Sequence, residues 1–180
     1  AAGLGRTSVG RFARATAPAQ GIAFSSRSSL AALPAMIEGA AALRLSREIA
    51  GFFLPLSASL FRLGGAVALP AGVLFVARLY GVDLSVPQLV TVGVTSVLLT
   101  FSVPGIPGGS ILIMAPVLLS AGLPVEGIGL LLGVDTIPDM FRTTTNVTGH
   151  MAAATILGSS ESRGNRRRSR AGSESGSVIT

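Results

Sequence analysis

The chain has 180 residues, 49% of them hydrophobic and only 12% charged, with a formal net charge of +6 and no cysteine. Soluble domains carry about 25% charged residues, so this composition points to a membrane protein, and the lack of cysteine excludes disulfides and thiolate metal sites. Every basic residue other than His150 is arginine; these arginines cluster beside the ends of apolar runs and in the tail. With one Tyr and no Trp to stack on bases, nucleic acid is not the partner of the excess charge.

Residues 1–16 are basic (Arg6, Arg11, Arg14) and moderately apolar. The chain opens AAGLG, without Met or a signal peptide, and reads as the C-terminal portion of a longer protein. Residues 17–40 hold two apolar pieces around the polar cluster Ser25–Ser29, the second broken by Pro34. Each piece is shorter than the ~20 residues needed to cross a bilayer. The pattern predicts either a re-entrant hairpin with a Ser/Arg tip or a soluble helix followed by a Ser-rich loop.

Arg44, Arg47 and Glu48 mark a membrane surface, and residues 51–80 form a spanning candidate. Arg62 and Gly64-Gly65 interrupt it near the centre. A glycine pair beside a charge predicts a broken helix whose freed backbone groups lie beside protein or water; the competing reading is a kinked helix with a snorkelling arginine. Residues 88–121 carry no charge and contain the stretch Phe101–Ser110, FSVPGIPGGS. Prolines and glycines that dense end a helix, and the arms on either side are about half a bilayer long. This predicts a second re-entrant hairpin, with two short spanning helices as the alternative.

Residues 127–157 could cross the membrane but hold Asp135, Asp139, Arg142, Asn146 and His150. At about 100° per residue these fall at roughly 0, 40, −20, 20 and 60° around a helix, within about a quarter of its circumference. A charge at the bilayer centre costs at least ~2.5 kcal/mol, so such a stripe is expected to face a bundle interior, a substrate or an ion. Pro138 is expected to bend the helix near Asp139. Residues 158–180, with Arg166-Arg167-Arg168, read as a disordered basic tail.

The expected fold is therefore an all-α membrane protein: hairpin 17–40, broken span 51–80, hairpin 88–121 and span 127–157, together a 1–157 core. Two re-entrant hairpins alternating with two transmembrane helices amount to an inverted repeat. The arginine-rich ends and the 44–47 loop, against Asp83 and Glu126 in the other two loops, place both termini in the cytoplasm of a multi-pass cell-membrane protein.

In chain order, the polar residues resemble the dicarboxylate/amino-acid:cation symporter family, the glutamate-transporter-like proteins. Ser25–Pro34, SSRSSLAALP, is similar to the serine-rich tip of that family's first hairpin, where some members carry Arg at the place of Arg27. Gly105–Gly108, GIPG, is similar to its glycine–proline gate. Asp139-Met140, Arg142-Thr143 and Asn146-Val147 are similar to its D-M-x-R-T-x-x-N-V signature. The resemblance implies a substrate site in which Arg142 pairs with a substrate carboxylate, Asp139 receives an amino group, and Thr143 and Asn146 hydrogen-bond the substrate. Arg27, Ser28 and Ser29 would close from one side, and Gly105, Ile106, Pro107 and Gly108 from the other. Asp135 resembles a supporting position on the same face. The resemblance further implies homotrimers assembled through scaffold helices upstream of Ala1.

Two departures bear on the coupling ion. The family's N-M-D-G-T at the break of the first span is Phe61-Arg62-Leu63-Gly64-Gly65 here, and its last sodium-binding Asp is His150. Sodium needs oxygen donors, which Phe and Leu lack. Two sodium sites are therefore expected to be dismantled, leaving a residual site near Ser59 and Thr100–Val103. His150, an imidazole that titrates near neutral pH, would carry a proton instead, or Arg62 would stand in as a fixed positive charge. The implied activity is secondary active transport of acidic amino acids or C4-dicarboxylates, coupled to residual Na+ or to H+ and needing no other cofactor. The alternative is a degenerate membrane protein that binds without transporting. No nucleophile, metal cluster or phosphate loop supports an enzyme.

Overall fold

A computed structural model describes residues 7–102 and 106–176, and every described regular element is helical. Helix α1, Val9–Ser26, starts where the Ser8 hydroxyl accepts the backbone N–H of Arg11 at 3.3 Å. Arg27 ends it in the left-handed conformation (φ 54°). Helix α2, Leu33–Ala42, has Pro34 in its first turn, where the missing N–H costs nothing. The two pack as a hairpin through small residues: Ala19 and Ala23 of α1 and Ala35 and Ala40 of α2 are buried together, and a side chain at Gly39 would strike the carbonyl oxygen of Ala15. Close approach through Ala and Gly is how helices associate where no water drives them together. The sequence set this hairpin at 17–40, but its first arm starts eight residues earlier. Pro18 lies on the exposed side of α1, so the hydrogen bond it forgoes is not buried, and the helix runs through it.

The first spanning candidate is a π-helical turn, Ile49–Phe53, then α3, Leu54–Leu60, and α4, Leu63–Leu79. Among the described residues, Ile49–Leu79 is the run long and apolar enough to cross a membrane. It breaks at Phe61 and Arg62, the position that the glycine pair and the charge predicted.

Helix α5, Val86–Leu99, opens with the Ser85 N–H donating to the Gln88 side chain at 3.0 Å and continues into a 3₁₀ turn, Thr100–Ser102. The returning arm is two short helices, α6 (Gly109–Leu112) and α7 (Ala115–Ser120), rather than one; Pro116 lacks the donor that would carry α6 through. Gln88 ties the two arms together by donating to the carbonyl of Ala121 at 3.0 Å.

The last expected span is likewise two helices, α8 (Gly127–Val134) and α9 (Thr136–Gly176). The interruption falls at Asp135, not at Asp139, because the proline ring at Pro138 conflicts with the carbonyl four residues back, that of Val134. α9 then runs to Gly176, through the stretch expected to be disordered from Gly158 onward; the arginines there are good helix formers once a helix has started.

The described residues form two apolar cores. One gathers α1, α2, the π turn, α3 and the later turns of α9 around Met36, Leu54, Val147 and Met151. The other gathers α4 to α8 around Leu69, Val73, Met114, Leu118 and Leu131. Polarity is inverted relative to a soluble protein: Phe52, Val67, Leu98, Leu112, Leu119 and Ile137 are exposed while Asp139, Arg142, Asn146 and His150 are buried. An apolar exterior that extensive suits lipid or further membrane helices.

Candidate functional site

All five residues of the stripe, with Thr143, are buried, none more than 7% exposed. Asp139 to His150 lie on the face of α9 that meets the α3–α4 break and the tip of the second hairpin, and Asp135 sits at the interruption just before α9. The centre is an ion triad. Arg142 Nη2 donates to both carboxylate oxygens of Asp135, at 3.1 and 2.9 Å, and to Asp139 Oδ1 at 2.7 Å. Asp139 Oδ2 accepts the backbone N–H of Gly108 at 3.1 Å, which ties the hairpin tip to the triad. Gly108 holds φ 71°, a left-handed conformation that glycine adopts without strain.

The break supplies the opposite wall. The Gly64 N–H, freed where α4 begins, donates to Asn146 Oδ1 at 2.8 Å. Gly64 sits so close to α9 that a Cβ there would lie 2.6 Å from Arg142 Cγ. Arg62 is 6% exposed. Its Nη2 donates to the Ala58 carbonyl at 3.0 Å and its Nη1 reaches Ser29 Oγ at 3.4 Å, while its Nε is buried without a partner. It stands within coulombic range of Asp139 and His150. The snorkelling alternative for Arg62 thus gives way to an inward-facing guanidinium.

The structure brings together Ser29, Arg62, Gly108, Asp139, Arg142, Thr143, Asn146 and His150. Ser28 is half-buried at the first tip, where its hydroxyl accepts the Ala31 N–H at 3.2 Å; Arg27 is half-buried beside it. Ile106 and Pro107 are exposed, and Gly105 lies outside the described residues. Ser59 is exposed and donates to the carbonyl of Pro55 in its own helix. Thr100 is buried against Gly65 and donates to the Val97 carbonyl, and Val103 lies outside the described residues. His150 is 2% exposed with an unpartnered Nε2, and lines an apolar cavity of about 360 Å³ with Phe53, Phe61 and Leu63. Reasoning from sequence did not assign Gly64 its two tasks, as donor to Asn146 and as the gap that admits Arg142. The break motif was the available signal, since glycine is the one residue of it shared with the family.

The described residues thus form a helical core with a buried carboxylate–guanidinium cluster beneath a hairpin tip. The profile of the sodium:dicarboxylate symporter family matches residues 1–160, and the chain belongs to that family. It is 33% identical over 147 residues to the proton/glutamate-aspartate symporter of Escherichia coli K12, covering 82% of this chain and 34% of that protein. It is 34% identical over 137 residues to the proton/sodium-glutamate symport protein of Bacillus caldotenax, covering 76% and 32%. With excitatory amino acid transporter 3 of Mus musculus the identity is 35% over 140 residues, covering 77% and 27%. The chain thus spans about a third of the length of these relatives.

Proposed function

We propose that this chain is the substrate-holding part of a secondary active transporter for acidic amino acids or C4-dicarboxylates, working by alternating access near the bilayer midplane. The observation that carries the reading is the buried Asp135–Arg142–Asp139 triad joined to the Gly108 backbone. An arginine fork placed there suits a carboxylate, and a hairpin tip bonded to the same triad is a gate that substrate can open or close. The bacterial relatives are by name glutamate or glutamate-aspartate symporters, and the family is by name one of dicarboxylate symporters. In this reading α1–α2 and α5–α7 are re-entrant hairpins from opposite membrane faces, the two halves form an inverted repeat, and upstream helices supply the scaffold for a trimer.

The coupling has moved away from sodium. Phe61 and Leu63 offer no side-chain oxygen where family members bind the ion, and Arg62 places a permanent positive charge beside them. His150 becomes the candidate proton carrier, and the E. coli relative is by name a proton symporter. Purified full-length protein in liposomes is expected to accumulate labelled aspartate or succinate down a proton gradient, with sodium replaced by choline. Uptake matching that of an Arg142→Ala variant would sink the transporter reading. A strict sodium requirement would sink the coupling alone. The same break favours a second reading, a chain that binds substrate without moving it; binding by calorimetry with zero flux would identify that case.

A further inference from the structure

We propose that the open base of the first hairpin, a cleft between Arg11 and Arg14 of α1 and the end of α2, receives the phosphate of an anionic membrane phospholipid. The cleft lies at the opposite end of that hairpin from the tip where Ser29 meets Arg62, so it stands apart from the substrate site. Shape, charge and position all point to a lipid headgroup.

The cleft has a volume of about 410 Å³ and is lined by Arg11, Arg14, Ala15 and Ala42, which falls within the ~300–1,000 Å³ of small-ligand sites. Residues 11 and 14 are three apart and so share a face of α1, and the two alanines leave the space between them and α2 open. Arg11 Nη2 donates to the Ala42 carbonyl at 2.9 Å. That bond fixes the guanidinium against the cleft wall and covers a carbonyl that would repel an anion. A guanidinium has five N–H groups, so donors remain on Arg11. The side chain of Arg14 has no hydrogen-bond or carboxylate partner among the described residues.

The charge at this end of the hairpin is unbalanced. The ion pairs among the described residues are those of Arg142, so Glu38 on α2 and Glu48 beyond it pair with neither cleft arginine. Arg44 and Arg47 follow on the turn out of α2, and four arginines against these two glutamates leave a formal charge of +2. Two guanidiniums facing one space repel each other, and an anion between them turns that repulsion into attraction. Phosphate oxygens match the guanidinium fork in geometry as well as in charge.

Position selects a lipid over free phosphate. The run Ile49–Leu79, long and apolar enough to cross a membrane, begins a short turn after α2 ends at Ala42, which sets the hairpin base at the level of a headgroup layer. Val9, just before Arg11, is 68% exposed and offers an apolar surface to an acyl chain. α9 passes the same level: a Cβ at Gly158 would lie 2.8 Å from Leu45 Cδ2 and 3.4 Å from Ile49 Cδ1. The helix then continues through residues 163–170, five of which are arginine. Basic residues clustered at one membrane face draw that face to anionic lipid, and within this field the cleft is a concavity walled by two arginines.

The test is calorimetric titration of full-length protein in maltoside micelles, with dioctanoylphosphatidylglycerol, dioctanoylphosphatidylcholine and inorganic phosphate as probes. The phosphatidylglycerol is expected to bind about tenfold or more tighter than either of the others. Arg14→Gln should weaken it by about tenfold to a hundredfold, the span of one charge-assisted hydrogen bond. That variant should melt with the unmodified protein, because the Arg14 side chain holds nothing within the chain. Arg47→Gln removes the same charge from the same face outside the cleft, and should cost no more than about fivefold, the share of one basic residue in a diffuse surface field. Equal losses in Arg14→Gln and Arg47→Gln overturn the inference, because they assign binding to the field of the whole face. Unchanged binding by Arg14→Gln overturns it too. Phosphatidylcholine binding as tightly as phosphatidylglycerol means that the headgroup charge is not read, and inorganic phosphate binding as tightly assigns the cleft to a soluble anion. Either result, or no binding of phosphatidylglycerol at all, also overturns it.

Discussion

Replacing Arg142 by methionine is expected to destabilise the protein by about 3–5 kcal/mol, more than any apolar truncation of similar size at the surface of this bundle. Asp135 and Asp139 are 7% and 4% exposed, and Arg142 is the only residue ion-paired to either among the described residues. Take it away and two carboxylates remain in a low-dielectric interior with one backbone N–H, that of Gly108, between them. The cost comes from the stranded charges, not from the lost attraction, because a buried pair roughly breaks even against an apolar replacement. Arg142→Met combined with Asp135→Asn and Asp139→Asn should therefore melt closer to the unmodified protein than Arg142→Met alone does. Thermal unfolding of the full-length protein in detergent measures both. A triple variant no more stable than the single one would refute the charge argument. Neither should take up substrate, since the triple variant regains the fold and not the guanidinium, and this separates the structural share of Arg142 from its proposed functional one.

Much of this site was legible because its signals are periodic or punctuating. Residues 135, 139, 142, 146 and 150 share a helical face at any register of the helix, and a charged stripe in an apolar helix must turn inward. The break at Arg62 and the turn near Gly108 were legible because Gly and Pro interrupt a helix wherever they cluster. What the sequence withheld is pairing. Nothing local says that the Gly64 N–H finds Asn146, 82 positions on, or that Arg62 reaches Ser29, 33 positions back. Those bonds follow from how the two cores dock. Helix ends decided by small competing terms were also withheld: the start of α1 at Val9, the split of the returning arm at Pro116, and the passage of α9 beyond Gly158. In each, a proline or a polar run argued for one boundary, while capping or propagation from a packed helix set another.

Gly64→Ala is the second substitution expected to have a large effect, although it adds one methyl group. The new Cβ would lie 2.6 Å from Arg142 Cγ, 2.7 Å from the Arg142 carbonyl oxygen and 3.1 Å from its Cα. Two of those three atoms are backbone, so no rotamer change relieves the contact; α4 must move away from α9. Overpacking of that kind costs about 1–3 kcal/mol. The movement also stretches the 2.8 Å bond from the Gly64 N–H to Asn146, adding about 1 kcal/mol. Two neighbouring glycines calibrate the result. At Gly65 a Cβ would meet the Thr100 methyl at 3.1 Å, a side-chain atom that can give way, so Gly65→Ala should be milder. At Gly93, inside α5, a Cβ would meet nothing within 4 Å beyond its own turn of helix. There alanine should be neutral or stabilise by about 0.5–1 kcal/mol through helix propensity. The melting temperatures should therefore rise in the order Gly64→Ala, Gly65→Ala, Gly93→Ala. Substrate binding should fall most in Gly64→Ala, because the same displacement carries Arg142 and Asn146 out of register with the hairpin tip at Gly108. If Gly64→Ala melts with Gly93→Ala, the close approach of the break to α9 is wrong, and with it one wall of the proposed substrate site.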